Sequence, residues 1–168
     1  MKNLKIEIKW AIIFVVMSLL WMLLEKISGL HDRYIDKQSM YTNFIAIPAI
    51  AIYVFALLDK RKNYYHGLMT YKQGFITGLI ITAIVTILSP LTQYLTSEVI
   101  TPEYFPNIIK YTVASGAMTQ QEAEEYFNLK SYIVQGLIGA ALMGTATSAI
   151  VAIFTRKSAT VVRNPAVN

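Results

Sequence analysis

The sequence predicts an all-α fold: a bundle of four transmembrane helices, with a helical hairpin in the loop between spans 3 and 4. Three observations predict it. Hydrophobic residues make up 55% of the 168-residue chain and charged residues only 15%, against roughly 25% charged in an ordinary soluble domain. Four stretches carry no charge at all: Trp10–Leu24, Ser39–Leu58, Gln73–Ser97 and Ser131–Thr155. None alternates polar and apolar residues as a barrel strand would.

A helical span needs about 20 apolar residues, because each residue rises ~1.5 Å across a hydrocarbon core ~30 Å thick. The expected spans cover about 9–30, 40–58, 73–96 and 131–155 within one membrane domain, 1–157. The first is short unless Glu25 and Lys26 sit at the interface. It follows a basic start, but no small-x-small cleavage site follows it, so it is expected to be an uncleaved span. Pro48 is expected to tilt the second span, and Ser89-Pro90 to end or kink the third, since proline removes a backbone donor and disfavours helix in the residue before it.

The loop 98–130 is the one sizeable segment outside the spans. Thr101-Pro102-Glu103 reads as a helix start, with a capping hydroxyl and an early proline. Phe105, Ile108, Ile109, Thr112 and Val113 follow at helical spacing, which gives one apolar face. Ser115-Gly116 ends that helix, and Thr119-Gln120-Gln121-Glu122 is a capping box for a second. The second helix is expected to run into span 4. Residues 158–168 read as a short disordered cytoplasmic tail.

Lys and Arg set the orientation. Lys2, Lys5, Lys9, Lys60, Arg61, Lys62, Lys72, Arg156, Lys157 and Arg163 fall on one side, ten against five on the other. Both termini are therefore expected in the cytoplasm. Trp10, Tyr64, Tyr65 and Tyr71 fall at the inner interface, and Trp21, Tyr41, Tyr94 and Tyr132 near the outer one, the depth that amphipathic rings prefer. The net charge of +5 accordingly reads as topology and contact with the lipid bilayer, not as a nucleic-acid surface.

The composition also restricts chemistry. There are no cysteines, so thiolate metal sites and cysteine nucleophiles are excluded. The two histidines, His31 and His66, lie in loops and read as surface residues, not as a metal site. No ionisable residue falls well inside an expected span, whereas ion-coupled pumps and proton relays use such residues. Glu25 sits at a helix end beside Lys26 and reads as half of a surface pair. The expectation is a protein without cofactor or metal and without enzymatic activity.

Two spacings carry packing. Gly74, Gly78, Thr82, Thr86 and Pro90 recur every fourth residue in span 3, and Gly136, Ala140, Gly144, Ser148 and Ala152 do so in span 4. Each series makes a groove of small side chains, and close backbone approach through such grooves is what attracts helices in lipid. Gly74, Gly78, Thr82, Gly136, Ala140, Gly144 and Ser148 are thus the candidate packing residues, within one chain or in a homo-oligomer. Phe105, Ile108, Ile109 and Glu122 are the candidate partner-docking residues of the loop.

Several stretches in order resemble a bacterial membrane family, domain of unknown function 4199. They are Asp59-Lys60-Arg61, Met69-Thr70-Tyr71-Lys72-Gln73-Gly74-Phe75-Ile76-Thr77-Gly78, Ile100-Thr101-Pro102-Glu103-Tyr104 and Gly116-Ala117-Met118-Thr119-Gln120-Gln121-Glu122. Ala117 separates Gly116 from Met118 where the family often has Gly and Met adjacent. The resemblance spans roughly residues 5 to 157 and implies four spans in a bacterial cytoplasmic (inner) membrane. It carries over no activity and no functional residue. Two readings stand: a structural or accessory membrane subunit with a protein partner, or an oligomeric small-solute transporter or pore lined by Thr77, Thr82, Thr86, Ser89, Thr145, Thr147 and Ser148.

Overall fold

The structure, a computed structural model, describes residues 4–157. The uncharged stretches become long helices because an unbroken apolar sequence satisfies its own backbone hydrogen bonds only as a helix. Helix α1 is Lys5–Ile27, α2 is Ile35–Tyr41 and α3 is Ala46–Asn63. A 3-10 turn, Thr42–Ile45, makes α2 and α3 one continuous rod. Helix α4 is Tyr71–Tyr94 and continues into a π-turn, Leu95–Ile100. The loop forms α5, Tyr104–Ala114, and α6, Gln120–Tyr126, before α7, Leu129–Thr155. Four of these rods, of 23, 29, 30 and 27 residues, are long and apolar enough to cross a membrane. Leu20, Ile47, Ile87, Leu142 and Phe154 are exposed along their outer faces, as lipid contact requires.

Pro90 does not end α4. The helix runs through it to Tyr94. The ring leaves the Thr86 carbonyl without its usual backbone donor, and the Ser89 hydroxyl donates to that carbonyl at 2.9 Å. Thr101 does not cap α5 either. Its hydroxyl and its amide both donate to Thr96 O, at 3.0 and 2.8 Å, and α5 starts at Tyr104 without a side-chain cap. Nor does α6 run into span 4. The chain turns at Phe127, and Asn128 caps α7 by accepting from Ser131 N at 2.9 Å.

Helices α4 and α7 pair most intimately, and Ala56, Leu57, Ile81 and Ala152 are fully buried beside them. A second apolar cluster of Tyr104, Ile108, Ala123 and Phe127 holds the α5–α6 hairpin onto the bundle.

One end of the bundle, the basic end, is tied shut. Lys60 Nζ lies 2.8 Å from Glu7 Oε1, both side chains buried. Asp59 pairs with Lys9 and accepts from Trp10 Nε1 at 2.7 Å. Arg61 Nη1 donates to Thr155 O at 2.8 Å. Met69 and Lys157 exchange backbone hydrogen bonds at 2.9 and 2.8 Å. Glu7 and Lys60 fall just outside the expected spans 9–30 and 40–58. They lie in the end turns of α1 and α3, where two charges meet each other instead of lipid.

Candidate functional site

At the opposite end, the hairpin roofs a cavity of about 710 Å³. The π-turn forms part of its wall. A wider turn re-aims the side chains that follow it, and π-turns recur at functional sites for that reason. Here Thr96 and Ser97 are buried against the cavity. Gln93 Nε2 donates to Ser97 Oγ at 2.8 Å. From the hairpin, Tyr104, Tyr111 and Thr112 close the roof. Burial pushes the Tyr104 phenol above its ordinary pKa, so it is a neutral hydrogen-bonding group. Its hydroxyl lies 3.3 Å from that of Tyr132.

Behind one wall sits a buried acid–imidazole pair. Glu25 is 2% exposed and His31 4%. His31 Nε2 lies 3.1 Å from Glu25 Oε2, and because a carboxylate oxygen only accepts, Nε2 carries the proton. Trp21 Nε1 donates to Glu25 Oε1 at 2.5 Å. The His31 ring stands 5.0 Å from the Tyr104 ring, and Asn107 Nδ2 donates to His31 O at 2.9 Å. The pair thus fastens α1, the first loop and α5 together. It also corrects two expectations. His31 is buried, and Glu25 is turned inward instead of pairing with the exposed Lys26. A two-residue surface reading cannot see this, because the partner of Glu25 lies six positions on, around the Gly29 turn at φ 80°. His66 is exposed. Among the described residues no group of three or more His, Asp or Glu could hold a metal ion.

Below the cavity lies a pocket of about 150 Å³ between α1, α4 and α7. The two share Ser18, Thr92 and Gln93 in their walls. Deeper still, three hydroxyls meet. Tyr53 Oη lies 2.8 Å from Thr82 Oγ1, which lies 3.4 Å from Ser148 Oγ. Thr82 and Ser148 are buried.

The small-residue series divide along the helix. A Cβ on Gly78 would stand 2.5 Å from Ser148 Oγ, and one on Gly144 would stand 2.5 Å from Thr82 Cγ2. Gly74 faces Met69 and Ala152 at 3.2 and 3.4 Å. These positions are brought together. Gly136 is not, since a Cβ there meets nothing within 4 Å, and Gly136 and Ala140 instead line the 150 Å³ pocket. Of the loop residues, Ile108 is buried in the hairpin cluster, with Phe105 and Ile109 partly buried beside it. Their apolar face therefore turns toward the bundle. Glu122 is exposed and closes the capping box with Thr119. The main cavity walls are what the sequence reasoning missed. Their Thr, Gln and Tyr residues are scattered over seven elements, the 3-10 turn and the π-turn among them, and no local spacing signals them.

No curated protein and no solved structure is detectably similar to the chain. A family described as "Protein of unknown function (DUF4199)" matches residues 9–157, nearly the whole chain, and the chain belongs to that family.

Proposed function

We propose that the chain is an accessory membrane subunit, not an enzyme, whose working part is the hairpin-roofed cavity, a binding site for a small polar ligand. The observation that carries this is the polarity of the bundle's two ends. One holds a 710 Å³ cavity whose largely apolar wall carries hydroxyl and amide groups, within the ~300–1,000 Å³ range of small-ligand sites. The other is tied by Glu7–Lys60, Arg61–Thr155 and the Met69–Lys157 bridge. Groups of this kind hold and orient a ligand by hydrogen bonds. The excess of Lys and Arg at the tied end supports placing it, with both termini, in the cytoplasm of a bacterial inner membrane, so that the cavity faces outward. A reporter fused after Arg156 should read cytoplasmic, and a periplasmic reading overturns the orientation.

The deciding experiment is the mass and composition of the assembly extracted from its native membrane in mild detergent. A defined hetero-complex supports the accessory reading. A second reading, transport, is favoured by the stacking of the 150 Å³ pocket under the cavity, directed at the Tyr53–Thr82–Ser148 contact. A homo-oligomer that admits polar solutes into vesicles, more so after Tyr53→Ala, would put transport in its place.

A further inference from the structure

The cavity's chemistry is narrower than its size, and the ligand class it selects rests on the proposal that the cavity is a binding site. Among the described residues that line it, only Asp36 is charged; no Lys, Arg or His takes part. An anionic ligand would find no cation there, and a cationic one a single carboxylate. The neutral groups offer acceptors and donors together. The Thr92, Thr101 and Thr112 hydroxyls donate to Leu88 O, Thr96 O and Ile108 O, at 3.1, 3.0 and 2.5 Å. A hydroxyl has one proton and two lone pairs, so these three have only acceptor capacity left. Gln93 spends one amide proton on Ser97 and keeps the other together with its carbonyl oxygen, while the Ser97 hydroxyl, which accepts from it, keeps its own proton. A neutral wall that both donates and accepts asks for a neutral ligand whose groups do the same, as hydroxyls do. Tyr104, Tyr111 and Tyr126 add flat, partly apolar faces, suited to the C–H face of a pyranose ring.

We propose that this cavity binds an uncharged polyhydroxylated group, a saccharide of one or two rings. A free sugar and the headgroup of a glycosylated lipid present the same hydroxyls, and the test separates them.

The full chain is placed in phosphatidylcholine nanodiscs freed of maltoside detergent, whose own headgroup is a disaccharide. In one arm sucrose is titrated calorimetrically. In the other, nanodiscs carry digalactosyl diacylglycerol, and its retention is read by native mass spectrometry against phosphatidylglycerol. Saturable binding is expected in at least one arm, weakened about tenfold, the equivalent of one good hydrogen bond, by Gln93→Leu and by Thr112→Val. Gln135→Leu, at an exposed lining position, is the replacement if either variant loses the wild-type thermal midpoint. Sucrose binding assigns a free solute, and retention of the glycolipid alone assigns a headgroup. Binding by neither probe, or binding indifferent to variants that keep the wild-type midpoint, overturns the proposal. If inorganic phosphate binds instead and Gln93→Leu weakens it, the saccharide class falls while the cavity remains a binding site. If phosphate fails as well, the binding reading falls with it.

Discussion

Lys60 Nζ sits 2.8 Å from Glu7 Oε1, with both side chains under 5% exposed, and 3.8 Å from the centroid of the Tyr64 ring. Two charges that the sequence places 53 positions apart thus neutralise each other at the basic end. Breaking a buried ion pair by removing one partner costs about 3–5 kcal/mol, whereas replacing both with apolar residues of similar volume is often near neutral. Glu7→Leu and Lys60→Met should each lower the thermal midpoint sharply, and the double variant should recover most of the loss. Additive losses in that cycle would mean the two charges do not act as a pair.

The α4–α7 interface makes a positional prediction. A Cβ at residue 78 would stand 2.6 Å from Ser148 Cβ and 3.2 Å from its Cα. Backbone is involved, so the helices must separate, and Gly78→Ala should cost about 1–3 kcal/mol as an overpacked site. Ser148→Gly in the same chain should restore part of that. Gly136→Ala meets open space and should instead stabilise by about 0.5–1 kcal/mol through helix propensity. Equal effects at 78 and 136, measured by unfolding in detergent, would refute the interface.

These two cases show what a sequence reveals and what it hides. The spans were legible because hydropathy is a local sum, and the four-residue series because helix geometry is periodic. That geometry places Gly78, Thr82, Gly144 and Ser148 on facing ridges, but it cannot say where the helices diverge, so Gly136 joined the series without the contact. The Thr119 capping box was legible for the same local reason. The Thr70–Gln73 box, where Thr70 N donates to Gln73 Oε1 at 2.8 Å, has the same spacing and starts α4, yet passed unread beneath the hydropathy signal. The Glu25–His31 pair and the cavity walls join distant segments, and only tertiary packing brings them together.

His31 and His66 look alike in sequence and should behave differently. His31 is buried, bonded to Glu25 and held through its backbone by Asn107. His31→Ala removes one of the hydrogen bonds that satisfy the buried Glu25, leaving that of Trp21, and opens space beneath Tyr104. It should lower the midpoint, shift the fluorescence of the neighbouring Trp21 and reduce ligand affinity in the adjoining cavity. His66 is exposed with φ 53°, a backbone region that Asn tolerates well, so His66→Asn should be silent in all three measurements.

The hairpin should respond to pH through Glu122. Its carboxylate accepts from the backbone N–H and the hydroxyl of Thr119, at 2.9 and 2.8 Å. The backbone hydrogen bond, then the hydroxyl, holds its carboxyl below the ordinary value of 4.5. A depressed carboxyl stabilises the folded cap fully above 4.5 and progressively less as the pH falls through its lowered value. Amide hydrogen exchange at Thr119, corrected for intrinsic rates, should therefore be slow at pH 6 and accelerate toward pH 3 as α6 frays from its first turn. Glu122→Gln keeps an acceptor at the same place without a titrating group, so its protection should not vary over that range. If the wild type shows the same flat profile, the carboxylate form of the cap contributes nothing to holding the hairpin over the cavity.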